Sequence, residues 1–196
     1  EYVVYGFCLG MQSMNVAAGG TMHQDIPFDI YGIHYVEDVL AQDKNNIHRG
    51  YWNKIDMDEQ LYRRNFHQIK IKENGFIETK LDIGSDEHPM VCSSHHQAIK
   101  ELAGDYLVAA FSMDGEVIEA INHTKYDHVF GVQFHPEFYT LYDSLGPKYK
   151  YTPADTVLIS ENEILAKDIS LEFHLNYWKY FSELFKNNNI NVVTKN

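Results

Sequence analysis

The chain opens on Tyr2-Val3-Val4-Tyr5, a short apolar run rich in β-formers that stops abruptly at Gly6. After Phe7-Cys8-Leu9-Gly10, residues 11–18 are small enough for a helix, and Gly19-Gly20 closes them. Strand, tight glycine turn, helix and glycine stop together predict a β-turn-α unit of an α/β sheet. Residues 24–73 are polar and aromatic without a long period, which predicts loops and short strands. Within them, Ile69 and Ile71 alternate with polar residues, so residues 67–72 read as a strand. Met90-Val91-Cys92 predicts another, and residues 95–102 a short helical turn. Residues 107–111 and 117–121 flank Ser112-Met113-Asp114-Gly115, and the closing Asp-Gly predicts a hairpin. Residues 129–134 form a last buried-looking strand that stops at His135-Pro136.

Residues 138–167 carry Pro147, Pro153 and many tyrosines, with little periodicity. They predict a long excursion that covers the sheet or caps a site, with one strand at 156–159. In the tail, Leu171, Leu175, Trp178, Phe181 and Phe185 recur at helical spacing and predict one apolar face. Ser170 is the expected N-cap, and the asparagines at 187–189 the expected end. With 196 residues, no internal repeat and no composition break, residues 1–196 are expected to form a single domain.

Composition adds exclusions. Apolar residues make up 44% of the chain and charged ones 22%, which argues against disorder. A formal charge of −12, spread along the chain, repels phosphate backbones, so nucleic acid is not an expected partner. No apolar run approaches the roughly 20 residues of a membrane helix. Cys8 and Cys92 are too few for a disulfide framework and read as free thiols of a reducing, cytoplasmic setting. His23, His34, His95 and His96 show no zinc-ligand spacing, and no metal or other cofactor is expected. The chain begins at Glu1, already inside a strand, so the true N-terminus is expected to lie upstream.

The chemistry concentrates at two strand ends. A nucleophile between a strand and a helix N-terminus meets unpaired N–H groups and the helix dipole. These favour a thiolate and can receive an oxyanion. Gly6-Phe7-Cys8-Leu9-Gly10 has that form, with glycines two residues either side of Cys8, as in the elbow of serine hydrolases. Alone, the pattern suits a small buried cysteine equally well. Gly131-Val132-Gln133-Phe134-His135-Pro136-Glu137 supplies a histidine and a carboxylate at another strand end. There Pro136 sets a turn that lets Glu137 fold back on His135.

These two segments resemble the signature segments of class I glutamine amidotransferases. Residues 15–21 with His23-Gln24-Asp25, then Ser93-Ser94-His95-His96-Gln97-Ala98-Ile99-Lys100, and Ser112-Met113-Asp114-Gly115 before Ile118-Glu119-Ala120 narrow the resemblance. They are similar to the γ-glutamyl hydrolase (peptidase C26) branch, which includes γ-glutamyl-γ-aminobutyrate hydrolases. The resemblance implies a flavodoxin-like, doubly wound α/β domain with a mostly parallel sheet. It also implies a triad of Cys8 as nucleophile, His135 as base and acid, and Glu137 as orienter. The Leu9 N–H would be an oxyanion donor, and Gln12, Ser93, Ser94 and His95 would line the glutamyl pocket. Three positions depart from the branch: Leu9 stands where arginine is usual, Cys92 where asparagine is, and Ser94 where an aromatic is common. The family also places several βα units, with a second oxyanion donor, before the elbow, so the domain is expected to be N-terminally incomplete. Either those strands lie upstream of Glu1, or the chain is a fragment with part of the sheet and half of the oxyanion hole missing, which is expected to be inactive.

The activity implied is hydrolysis of a γ-glutamyl amide on a small substrate through a γ-glutamyl thioester. The alternatives are a glutaminase component that passes ammonia to a synthase partner, and a catalytically silent member of the fold. A homo-oligomer is compatible with all three; nucleic acid and membrane partners are not expected.

Overall fold

In the computed structural model, which describes residues 2–187, the first strand is β1 (Val4–Phe7) and α1 (Leu9–Ala17) begins immediately after Cys8. β2 (Thr21–His23), α2 (Ile26–Asp29), α3 (Val36–Leu40), a 3₁₀ turn at Lys44–Asn46 and α4 (Trp52–Ile55) follow. Next come β3 (Asn65–Ile71), α5 (Phe76–Leu81), β4 (Met90–Ser93), β5 (Ala98–Glu101), β6 (Tyr106–Ser112), β7 (Ile118–His123) and β8 (Val129–Val132). A 3₁₀ turn at Tyr139–Leu141, β9 (Lys148–Tyr149), β10 (Ile159–Ser160), α6 (Glu161–Leu165) and α7 (Ser170–Asn187) complete the order. No helix among the described residues is long and apolar enough to cross a membrane.

The α/β class is as the resemblance implies, but the sheet is mixed rather than mostly parallel. Its six strands run in the order β1-β8-β7-β6-β3-β4. Only β1 and β8 pair in parallel, and the other four pairings are antiparallel. The Gly115 turn accounts for one of these. Gly115 sits at φ 87°, and the Ser112 hydroxyl donates to Asp114 while accepting from the Val117 N–H, so β6 returns directly as β7. The sheet is curled: the His135 N–H, beyond β8, donates to the Cys92 carbonyl of β4 at 2.9 Å. The two ends of the strand order thereby meet beside His135.

Residues 95–102, expected as a helical turn, instead hold β5, which pairs antiparallel with β2. The cause is Asn15, fully buried on α1. Its amide donates to the Thr21 and Glu101 carbonyls at 3.2 and 3.1 Å and accepts from the Ala103 N–H at 2.9 Å. That clamp holds both strands extended, and a side chain at Gly20 would collide with it. The strand expected at 156–159 is only β10, paired with β9.

In α7 the buried stripe is Phe173, His174, Tyr177 and Phe181, whereas Leu175 and Phe185 are 52% and 42% exposed. The expected apolar face is therefore rotated, because His174 and Tyr177 bury their rings with Phe130, Phe134 and Phe173. Ser170 is the first helical residue rather than the N-cap. Its N–H donates to Asp168, and its hydroxyl accepts from the Met90 N–H at 2.7 Å. Of the residues expected to end α7, Asn188 and Asn189 lie outside those described.

Helix α1 crosses the β1–β8 pair at contact distance. A Cβ on Gly6 would lie 2.4 Å from the Gly10 carbonyl carbon, and one on Gly131 would lie 2.8 Å from Met11 Cγ. Gly10 faces open space, so only the first elbow glycine is required by packing. Gly6→Ala is therefore expected to destabilise the fold by about 1–3 kcal/mol. Gly10→Ala is expected to be neutral or stabilising by up to about 1 kcal/mol. Urea midpoints measure both, and a Gly6→Ala protein as stable as its parent would refute the close crossing.

Candidate active site

Cys8 occupies the N-cap of α1 with φ 48° and ψ −107°, a conformation a side-chain-bearing residue rarely adopts. The surrounding structure imposes it: the Cys8 N–H donates to the Val132 carbonyl at 2.8 Å, and the Cys8 carbonyl accepts from the Gln12 N–H at 3.1 Å. Strain of this kind costs about 1–3 kcal/mol and persists only where neighbours hold it. The Cys8 side chain makes no cap hydrogen bond to α1. Leu9, at the first helical position, has an N–H with no acceptor within the helix, and its side chain is 68% exposed.

β8 runs beside β1, so the turn that follows it ends next to Cys8. His135 Nδ1 lies 2.7 Å from Glu137 Oε1, and the ring is close enough to Cys8 for the thiol to act on its charge. Since Glu137 takes Nδ1–H, Nε2 is the nitrogen left for the sulfur. Burial works against a charged ring here, but the interactions with Cys8 and Glu137 and their negative charge outweigh it. The His135 pKa is raised to about 9.

The residue 138–167 excursion supports this turn. The Pro136 carbonyl accepts from the Tyr142 hydroxyl at 2.7 Å and from Trp178 Nε1 at 3.3 Å. The Phe138 ring stacks on His135 at 4.9 Å between centroids, and the Arg64 guanidinium lies 3.7 Å from the Phe138 centroid. Arg64 is anchored in turn by Glu161 at 2.8 Å. Phe138, Tyr142, Trp178 and Arg64 escape a search for chemical motifs, because they act through another residue. Their only trace in the sequence is the density of aromatic residues after His135.

The expected pocket residues divide. Ser94 is exposed, as is Leu9. Gln12 is buried, and its amide donates to the Gln97 carbonyl and to Gln133 Oε1, both at 3.1 Å. Ser93 is fully buried, with its hydroxyl 2.8 Å from His67 Nε2. His95 is buried and faces Glu119 rather than the surface, in a cluster with His48 and His67. Desolvation lowers the pKa values of His48, His67 and His95 to about 4, 4 and 3. Glu119, His48 and His67 went unnoticed in the sequence because each lies in a different segment.

Cys92 is buried beside Tyr62, and burial pushes its thiol up to about 12, so it is no rival nucleophile. A cavity of about 740 Å³ lined by Tyr62, Arg64, Phe66 and Tyr151 includes none of Cys8, His135 and Glu137.

An α/β sheet that brings a strained cysteine, a histidine and a carboxylate together at adjacent strand ends has the layout of the class I glutamine amidotransferase superfamily. The chain belongs to its peptidase C26 family, whose model matches residues 2–137. A glutamine amidotransferase-like protein of Rickettsia prowazekii is 28% identical over 163 residues, covering 69% of this chain and 53% of that protein. The γ-glutamyl-γ-aminobutyrate hydrolase of Escherichia coli K12 is 26% identical over 135 residues, covering 69% of this chain and 46% of that enzyme. The chain thus spans about half the length of these curated relatives. A glutamine amidotransferase structure from Methylobacillus flagellatus aligns with a TM-score of 0.49 at 16% identity, over 93% of this chain and 62% of that one.

The folded His135 ring holds its proton more tightly than an unfolded histidine at 6.5. Its interactions therefore add stability in full below about pH 6.5, and that stability is lost as the pH rises through about 9. In an NMR titration the His135 ring is expected to change near pH 9. In Glu137→Gln the midpoint should fall toward the ordinary histidine value, and an unchanged midpoint would remove Glu137 as its partner.

Proposed function

We propose that Cys8, His135 and Glu137 form a catalytic triad that hydrolyses a γ-glutamyl amide through a γ-glutamyl thioester. One observation carries the reading: a single imidazole bonds Glu137 and is electrostatically coupled to a cysteine held in a strained elbow. Membership of the peptidase C26 family supports it.

In this mechanism the Cys8 thiol gives its proton to His135, Sγ attacks the γ-carbonyl carbon, and the carbonyl oxygen becomes an oxyanion facing the Leu9 N–H. The tetrahedral intermediate collapses, the C–N bond breaks, and His135 gives its proton to the departing amine. A ring with its pKa raised to about 9 is protonated at neutral pH and suited to that step. Water then attacks the thioester as His135 takes its proton, and the intermediate collapses to glutamate and the free Cys8 thiol. Glu137 holds the ring in the tautomer that points Nε2 at the sulfur. The positioning set of Phe138, Tyr142 and Trp178 keeps the His135 turn in register with the elbow, where small displacements are costly.

The test uses the purified full-length protein, with γ-glutamyl amides and glutamine as separate substrates. Amine release without any added protein is expected, with a γ-glutamyl adduct on Cys8 seen by mass spectrometry of quenched samples. Cys8→Ala should lower turnover by about 10⁴-fold or more and abolish the adduct. Undiminished turnover in Cys8→Ala would sink the triad, and turnover only with glutamine and a synthase would replace hydrolysis by ammonia delivery.

A further inference from the structure

Beneath the bend at Ser93-Ser94-His95, four buried side chains from four separate segments converge. His48 comes from the loop before α4, His67 from β3, His95 from the loop after β4, and Glu119 from β7; each is 3% exposed or less. One donor atom from each lies within 4.8 Å of all the others. Glu119 Oε1 is 3.2 Å from His48 Nδ1 and 3.8 Å from Nε2 of both His67 and His95.

The far sides of two rings are already committed. His67 Nδ1 lies 3.2 Å from the Gln68 carbonyl and His95 Nδ1 lies 3.0 Å from the Gln97 carbonyl. A carbonyl only accepts, so each neutral ring carries its proton on Nδ1 and turns an Nε2 lone pair toward Glu119. The Ser93 hydroxyl meets the His67 lone pair at 2.8 Å. Both nitrogens of His48, Nε2 of His95 and both oxygens of Glu119 make no hydrogen bond. Five buried polar atoms without partners in one place would each cost about 1–3 kcal/mol, so the cluster is built around an occupant that is not a side chain.

We propose that His48, His67, His95 and Glu119 form a closed, four-ligand site for a divalent transition-metal ion of the zinc class. Tetrahedral zinc with bonds of about 2.0–2.2 Å places its ligand atoms about 3.3–3.5 Å apart, and the contacts to Glu119 Oε1 bracket that spacing. Three neutral imidazoles and one carboxylate suit such an ion, and the Gln68 and Gln97 carbonyls are the outer partners that orient ligating histidines. His67 engages the ion as the Ser93 hydroxyl turns away from its Nε2. With four protein ligands and full burial the centre is structural rather than catalytic, and it is independent of the acyl-transfer reading. It acts on that site only at a distance. The Gln97 carbonyl that orients His95 also accepts from Gln12, on the helix that Cys8 caps. A proton on Glu119 is the rival occupant, but it satisfies one ring and leaves the rest bare.

The whole chain, stripped with chelator and dialysed, should take up about one Zn²⁺ per chain by elemental mass spectrometry and hold it through a second dialysis. Co²⁺ should give the visible d–d bands of a tetrahedral site, bleached by added Zn²⁺, and Zn²⁺ should raise the thermal midpoint. His95→Ala and Glu119→Gln should each lose the stoichiometric metal, while the exposed control His96→Ala keeps it. If those variants fail to fold, the Co²⁺ spectrum of the unmutated chain decides. A folded, unmutated chain that neither retains Zn²⁺ nor gives a tetrahedral Co²⁺ spectrum would overturn the proposal. So would metal retained in both ligand variants.

Discussion

Cys8 is held at φ 48° by hydrogen bonds from both of its peptide groups, one to the end of β8 and one within α1. Most of what surrounds it exists to keep that conformation. The helix must start at the next residue, so it crosses β1 and β8 at the elbow, and that crossing is close enough to require glycine at both 6 and 131. Met11 fills the contact on the Gly131 side and is fully buried. Gln12 and Asn15, one and two turns along α1, are spent on backbone and side-chain acceptors of the strands and loops beneath. These two buried polar residues thus tie the helix to the sheet.

The histidine side is held by different means. Its turn lies outside regular structure, so no ladder fixes it. The excursion, α7 and Arg64, just before β3, supply what a ladder would: two donors on the Pro136 carbonyl, a ring on the imidazole, and a guanidinium on that ring. Aromatic rings and planar cations suit this role because few rotatable bonds are frozen when they stack. The Cys8–His135 pair is therefore assembled from one strained, hydrogen-bonded backbone and one stacked, aromatic-braced turn.

How much of this was legible in the sequence follows the range of the interactions. Gly6, Cys8, His135, Pro136 and Glu137 act through residues a few positions away, so their pattern survives in one dimension. The Asp114-Gly115 hairpin is local for the same reason. β5 was misread because its conformation depends on Asn15, far away in sequence and close only in the fold. The face of α7 was misread because Tyr177 and His174 count as polar until a ring-lined core is there to receive them. The His48, His67, His95 and Glu119 cluster has no spacing at all, since each member comes from a separate element.

The single parallel pairing in the main sheet joins Val4–Phe7 to Val129–Val132. During synthesis, the cysteine emerges first and its histidine among the later residues. Between them the chain can form local hairpins such as β6–β7, but the β1–β8 contact must wait for a long loop to close. Until it does, Cys8 has neither its acceptor at Val132 nor its imidazole. Both contacts of Cys8 therefore depend on the pairing that joins the most distant strands of the sheet.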